Sequence, residues 1–426
     1  MAIYIGRLIL SNLLPLRTIF YLNTGDHKMN TAQLRLNKNQ DRRLRFGHCW
    51  IYSNEVDTKS TPLKGMEPGQ AVDIVNHQSK WLGSGYVNPH SLICARVVSR
   101  DPEHPLTASL LVHRMKIALS LRERLHAKPY YRLVFGESDG LPGLVVDRYG
   151  DYVVAQITTA GMELLKTEVV AAIEKVLKPK GVLLRNDSSA RVQEGLDQYI
   201  ELGSGNMPEL LELEENGLKF QVQSQHGQKT GWFFDQADNR SRLSRYIRGG
   251  RVLDVCSYVG AWGMQAAALG AEEVVCVDSS VAALEMVDSN AALNGLSERV
   301  QTLHANAFDC LRDLRSERDK FDVVLLDPPA FIKRRKDIKE GTLAYKRLNQ
   351  AAMQILAKDG VLVTSSCSHH MSQDSLLQQV QQAGRHNDRF IQLLEQGQQA
   401  TDHPIHPAIP ETAYLKTFYL RVLPAF

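Results

Sequence analysis

The chain has few cysteines, and none at a spacing that builds a site. Its six (Cys49, Cys94, Cys256, Cys276, Cys310 and Cys367) include no CxxC pair, which argues against both a zinc centre and a disulfide framework. They read as reduced thiols of a cytoplasmic protein. No apolar run approaches the length of a membrane-crossing helix, so no membrane partner is expected. Charge of one sign is also scarce: 50 Lys and Arg stand against 47 Asp and Glu, a net +3. A total that small does not announce nucleic acid, and only the distribution of charge can.

What is present is the composition of a globular protein, 43% hydrophobic and 23% charged over 426 residues, which is enough for two or three domains. Two basic clusters stand out, "NKNQDRRLRFGH" at 37–48 and "IKRRKDIK" at 332–339. Taken alone, either is better explained by a solvated face than by a ligand site. The first 28 residues mix apolar positions with Arg7 and Arg17. The arginines interrupt any signal-peptide core, and Met29 precedes the first well-patterned segment. Residues 1–30 are therefore read as an extension from a non-native or upstream start, with a disordered or targeting extension as the alternative.

From 31 to 103, short β-type runs ("AVDIVN", "WLGSGYVN", "LICARVVS") alternate with Gly, Pro and Asn turns, the pattern of a small β-rich barrel. Residues 107–220 mix a helical period at Leu110, Leu111, Met115 and Ala118 with strands and Gly-rich turns, predicting an α+β domain. Residues 221–426 differ again. "RVLDVC", "EVVCVD", "FDVVLLD" and "GVLVTSS" are near-continuous apolar runs separated by helical segments, as in a doubly wound parallel α/β sheet that binds its ligand at the strands' carboxyl ends. "ETAYLKTFYLRVL" lacks a preceding crossover helix and is expected as an antiparallel edge strand.

In "VLDVCSYVGAWG", Asp254 closes the first of these strands and Gly260 and Gly263 lie in the following turn. Tyr258 occupies a position where a dinucleotide fingerprint needs glycine, so a pyrophosphate is disfavoured. Asp278 closes the second strand, where a carboxylate can accept both hydroxyls of a ribose. Ribose recognition without pyrophosphate points to S-adenosylmethionine. Asn306 in "HANAFD" is placed to meet the adenine amino group, and Ser257 lies in the same turn as Gly260. Aspartates at strand ends also arise as helix caps, but the order of the four motifs favours the cofactor.

On "DGLPGLVVDRYGD", "GQKTGWFFDQADNR" (227–240), "LDVCSYVGAWG", "DPPAF" and "SSCSH", the chain from Thr31 onward resembles the RlmI-type large-subunit ribosomal RNA methyltransferases. The resemblance implies an N-terminal PUA domain, a small central domain and a C-terminal class I, Rossmann-like methyltransferase domain. It implies methylation of cytosine carbon-5 in 23S rRNA. Trp232, Ala237 and Ala330 stand where that family is expected to carry Phe, Arg and Lys.

Cytosine carbon-5 is a poor nucleophile until something adds to carbon-6, and a thiolate does this well. Cys367, just past "GVLVTSS" among Ser365, Ser366, Ser368 and His369, is placed to do so. Asp327 can then act as general acid toward the cytosine ring nitrogen and exocyclic amine, and Phe331 offers a stacking surface for a flipped base. Lys333, Arg334 and Arg335 follow directly, so their position favours phosphate contact. Arg42 and Arg43 of the other cluster are the RNA-contact candidates in the first domain. Asp235 and Arg240 are assigned to the cofactor's neighbourhood, although Asp235 suits a helix N-cap and Arg240 a surface position equally well. The competing readings are methylation of a guanine exocyclic amine without a covalent step, and a non-catalytic RNA-binding assembly factor. A homodimer is left open.

Overall fold

The computed structural model describes residues 31–225, 227 and 230–425. The expected extension at 1–30 lies outside them, as do residues 226, 228, 229 and 426. Strands β1 (Ala32–Arg35), β2 (Trp50–Tyr52), β3 (Ala71–Val75), β4 (Trp81–Val87) and β5 (Ile93–Ser99) make one sheet in the order β1-β3-β4-β5-β2. Alternation buries Leu34, Ile51, Val72 and Ile74 on its inner side. Helix α1 (Arg42–Arg45) carries the first basic cluster.

The second sheet, β10-β9-β8-β7-β6, contains β6 (Tyr130–Phe135), β7 (Leu144–Tyr149), β8 (Tyr152–Ile157), β9 (Gly181–Asn186) and β10 (Tyr199–Gly205). Helix α2 (Ala108–Leu125), capped by Thr107 accepting from the Leu110 N–H, packs into the same core as α4 (Lys166–Leu177). Helix α4 is separated from the short α3 (Ala160–Leu164) by a break at Leu165, and α5 (Ser189–Gln193) follows β9. Hairpin β11 (Leu210–Glu215) and β12 (Leu218–Gln223) comes next. The expected boundary at 220 falls within β12. The hairpin's Leu211, Leu213, Phe220 and Val222 are buried in the core of the third sheet, and Asn290 Oδ1 accepts from the Gln221 N–H at 2.8 Å.

Helix α6 (Ala237–Ser241) leads into the third sheet, built from β13 (Arg251–Val255), α7 (Ala261–Ala268), β14 (Glu273–Asp278), α8 (Val281–Leu293), β15 (Val300–His304), α9 (Ala307–Glu317), β16 (Phe321–Leu326), α10 (Ile338–Ile355), β17 (Leu356–Ser366), α11 (Gln373–His386), β18 (Arg389–Gly397) and β19 (Lys416–Pro424). Its order is β15-β14-β13-β16-β17-β19-β18. The first five are parallel, and β19 runs antiparallel to both neighbours. The last strand is thus not the edge that its lack of a crossover helix suggests. Strand β18 takes that place, because after α11 the chain pairs along the outer side of β19. The β13 residues 252–255 are fully buried, covered by helices on both faces, which is why the run is continuously apolar except for Asp254. The strand order reverses about β13 and β16, so their carboxyl ends open a crevice. Among the described residues no helix is long and apolar enough to cross a membrane.

Candidate active site

Asp254 is fully buried at the end of β13, and its Oδ2 accepts the Gly263 N–H at 2.8 Å. Burial pushes its carboxyl up to about 7, with Asp327 and Asp278 adding to the rise and the Gly263 hydrogen bond opposing it. The turn that follows is tightly wound: Cys256, Tyr258 and Gly260 have φ of +64°, +51° and +84°. Only at Gly260 is that backbone free of side-chain strain. A Cβ on Gly263 would lie 2.5 Å from Cys276 Sγ, so glycine is what lets α7 approach the sheet. Asp278, half-buried, accepts the Tyr258 and Ser280 N–H groups, each at 2.9 Å, and a carboxylate retains acceptor capacity beyond two such bonds. Among the described residues, Asp254 Oδ1 and Ser257 Oγ are buried with no hydrogen-bond partner. Buried polar atoms left open in this way need an explanation. A bound adenosyl amino acid supplies one, so the site fits S-adenosylmethionine.

Asn306 is exposed and serves as the N-cap of α9, its Oδ1 accepting from Phe308 N–H at 3.0 Å. Asp235 is buried and accepts from the Tyr414 hydroxyl at 2.5 Å, while Gln236 rather than Asp235 holds the N-cap position of α6. Arg240 is no surface residue. Its guanidinium binds Glu215 at 2.5 and 2.7 Å and the Phe233 carbonyl at 2.8 Å, and lies 5.0 Å over the Trp232 ring. It ties the β11–β12 hairpin to α6 instead of reaching outward.

Leu326 of β16 pairs with Thr364 of β17, so Asp327 and Cys367 leave adjacent strands one and three residues beyond the same rung. Asp327 accepts from Trp262 Nε1 at 3.0 Å and from Gln236 Nε2, which reaches both carboxylate oxygens at 3.0 Å. Burial raises its pKa, Asp235 adds to this, and the Trp262 and Gln236 donors oppose it. The "DPPAF" and "SSCSH" loops are bolted together at Ser368, whose Oγ accepts the Ile332 N–H at 3.2 Å and meets the Tyr345 hydroxyl at 2.9 Å. Phe331 is half-buried, its ring 4.8 Å from that of Tyr345. Lys333, Arg334 and Arg335 are exposed on this rim.

Of the six cysteines only Cys256 and Cys367 are not buried. Cys310 lies in α9, and Cys256 lies in the turn after β13. Burial and the carboxylates of Asp278, Asp327 and Asp254 push the Cys256 thiol up to about 12, which keeps it protonated and unreactive. Cys367 has a cation near it instead, Lys416, whose Nζ binds the Ser368 and Tyr414 carbonyls at 2.7 Å each.

In the first domain, Arg42 is exposed, but Arg43 is committed internally. It binds Glu55 at 2.7 and 2.9 Å and lies 5.0 Å over the Tyr52 ring. Trp262, Gln236 and Lys416 were not anticipated from sequence. No local pattern marks them, since each acts on a residue that only the fold brings near.

These features define a cofactor-dependent group transferase, and comparison narrows it. The S-adenosylmethionine-dependent methyltransferase family matches residues 190–421, and a PUA-like domain matches 34–100. "Ribosomal RNA large subunit methyltransferase I" of Shigella boydii serotype 18 is 36% identical over 399 residues, 92% of this chain and 100% of that protein. The protein of the same name from Escherichia coli O157:H7 is 36% identical over the same coverage. Among solved structures, SMU.776, a methyltransferase complexed with SAH, superposes with a TM-score of 0.79 at 21% identity, covering 92% of this chain and 100% of that one. A SAM-dependent methyltransferase from Streptococcus mutans superposes at 0.78 with the same identity and coverage. The chain belongs to the S-adenosylmethionine-dependent methyltransferases, in the family of the large-subunit ribosomal RNA methyltransferase I proteins.

Proposed function

We propose that this protein methylates carbon-5 of a cytosine in 23S ribosomal RNA through a transient Cys367 adduct at carbon-6. What supports the substrate is the name carried by its full-length relatives and a PUA-like domain in the same chain. The observation that carries the chemistry is the half-buried Cys367 on the rim it shares with Asp327, with Lys416 behind it.

S-adenosylmethionine supplies an electrophilic methyl group, held by the Asp254, Ser257 and Asp278 end of the sheet. The Cys367 thiolate adds to carbon-6, and the electron pair of the ring double bond moves onto carbon-5. Asp327, its pKa raised by burial, donates to the ring nitrogen as charge develops there. Carbon-5 takes the methyl group and S-adenosylhomocysteine is left; a water then removes the carbon-5 proton, the ring nitrogen returns its proton to the Asp327 carboxylate, and the re-formed double bond expels the Cys367 thiolate. Trp262 and Gln236 hold Asp327 in place. Lys333, Arg334 and Arg335 contact phosphates beside the site, and exposed Arg42 does so at the first domain. Such work belongs in the cytoplasm, where pre-ribosomal RNA and reduced thiols coexist.

Incubating the protein with unmodified 23S RNA and methyl-labelled cofactor, then digesting to nucleosides, tests the assignment. Label is expected in 5-methylcytidine. Label in N2-methylguanosine would replace this reading with direct amine methylation.

A further inference from the structure

We propose that Lys416 is the counter-cation of Cys367, its buried ammonium stabilising the thiolate before RNA binds. The inference rests on Cys367 being the nucleophile of the proposed reaction. Lys416 opens β19 and pairs with Ser366 across the ladder, an interior position where an aliphatic residue would be the ordinary choice. Its residue exposure is only 9%. Nζ donates at 2.7 Å to two neutral carbonyls, one of them from Ser368, the residue next to Cys367. Among the described residues no carboxylate forms a salt bridge with it. A buried ammonium is costly unless a negative charge compensates it, and the group that favours its charged form is Cys367.

The other ionisable neighbours do not take that role. Tyr414 and Tyr345, which both sense Cys367, are held neutral by burial. His369, which faces Lys416 and has Glu411 and His370 nearby, is pushed by burial toward its neutral form. Burial also pulls Lys416 down to about 8 while Cys367 opposes the fall, so near neutral pH the ammonium form still predominates.

Alkylation by iodoacetamide, followed at the Cys367 peptide by mass spectrometry across a pH series on the full-length protein, tests this without RNA or cofactor. The wild-type midpoint is expected below the free-cysteine value of about 8.5. Lys416→Gln, which keeps donors for the two carbonyls but removes the charge, is expected to move the midpoint up and slow alkylation near neutral pH about tenfold or more. Lys416→Arg should retain most of the wild-type profile, and Cys256 should stay unreactive in all three proteins. A wild-type midpoint at or above that of free cysteine, or a Lys416→Gln midpoint equal to the wild type, overturns the proposal. If Lys416→Gln does not fold, the wild-type midpoint and the Lys416→Arg profile decide. Failure of Cys367 to trap RNA alongside a Lys416-dependent midpoint would reject the adduct and leave the ion pair standing.

Discussion

The indole Nε1 of Trp262 donates to Oδ2 of Asp327 at 3.0 Å, joining α7, the helix after β13, to the carboxylate just beyond the end of β16. A hydrogen bond to a charged group contributes about 1.5–3 kcal/mol. Trp262→Phe should therefore lower the single-turnover rate of methyl transfer by roughly tenfold or more. Because Trp262 lowers the pKa of Asp327, its loss should also move the Asp327 limb of the pH–rate profile upward. An unchanged rate would remove Asp327 from the chemistry or Trp262 from its support.

Arg240 and Glu215 form a pair with side-chain exposures of 3% and 9%. Breaking a buried pair from one side costs about 3–5 kcal/mol. Arg240→Met should thus lower the melting temperature by roughly 6–20 °C for a domain of this size, while cofactor affinity measured well below the transition stays near wild type. A large affinity loss without a stability loss would return Arg240 to the cofactor site.

Asp254 titrates higher in the folded protein, about 7, than in an unfolded chain, where aspartate lies near 3.9. The folded state holds the proton more tightly, so this group's stabilising contribution is full at low pH and is lost as pH rises from about 4 through 7. In the cofactor-free protein, Asp254→Asn should flatten the dependence of melting temperature on pH across that window. A variant with the wild-type slope would contradict the assignment.

Replacing Lys333, Arg334 and Arg335 together by alanine should weaken RNA binding. The slope of log affinity against log salt should fall by about one for each phosphate that is no longer neutralised. The cofactor's dissociation constant should not change. An unaltered salt slope would make the cluster a solvated face.

The parallel sheet is legible because strands buried on both faces must be continuously apolar, and the crevice at its carboxyl ends because Asp254, Asp278, Asp327 and Cys367 lie at the ends of those apolar runs. What sequence does not carry are the partnerships that tertiary structure creates. Gln236 meets Asp327 across 91 positions of sequence, and Tyr414 meets Asp235 across 179. Arg240 suits a surface position in sequence because its partner, Glu215, lies in a hairpin that the expected boundary assigns to the preceding domain. Strand β18, "RFIQLLEQG", is only partly buried or exposed throughout. With neither a continuous apolar run nor strict alternation, it gives no strand signal, and the edge then falls by default to the last strand.

The covalent step is tested most directly by trapping. RNA carrying 5-fluorocytosine at the target can accept the Cys367 thiolate and the methyl group but cannot lose a proton from carbon-5. Wild-type enzyme with S-adenosylmethionine should therefore stay joined to that RNA through denaturing electrophoresis. Cys367→Ala should bind cofactor normally yet give neither adduct nor methyl transfer. Methyl transfer by Cys367→Ala at near wild-type rate, or no adduct with the wild-type enzyme on a substrate it methylates, would contradict the account.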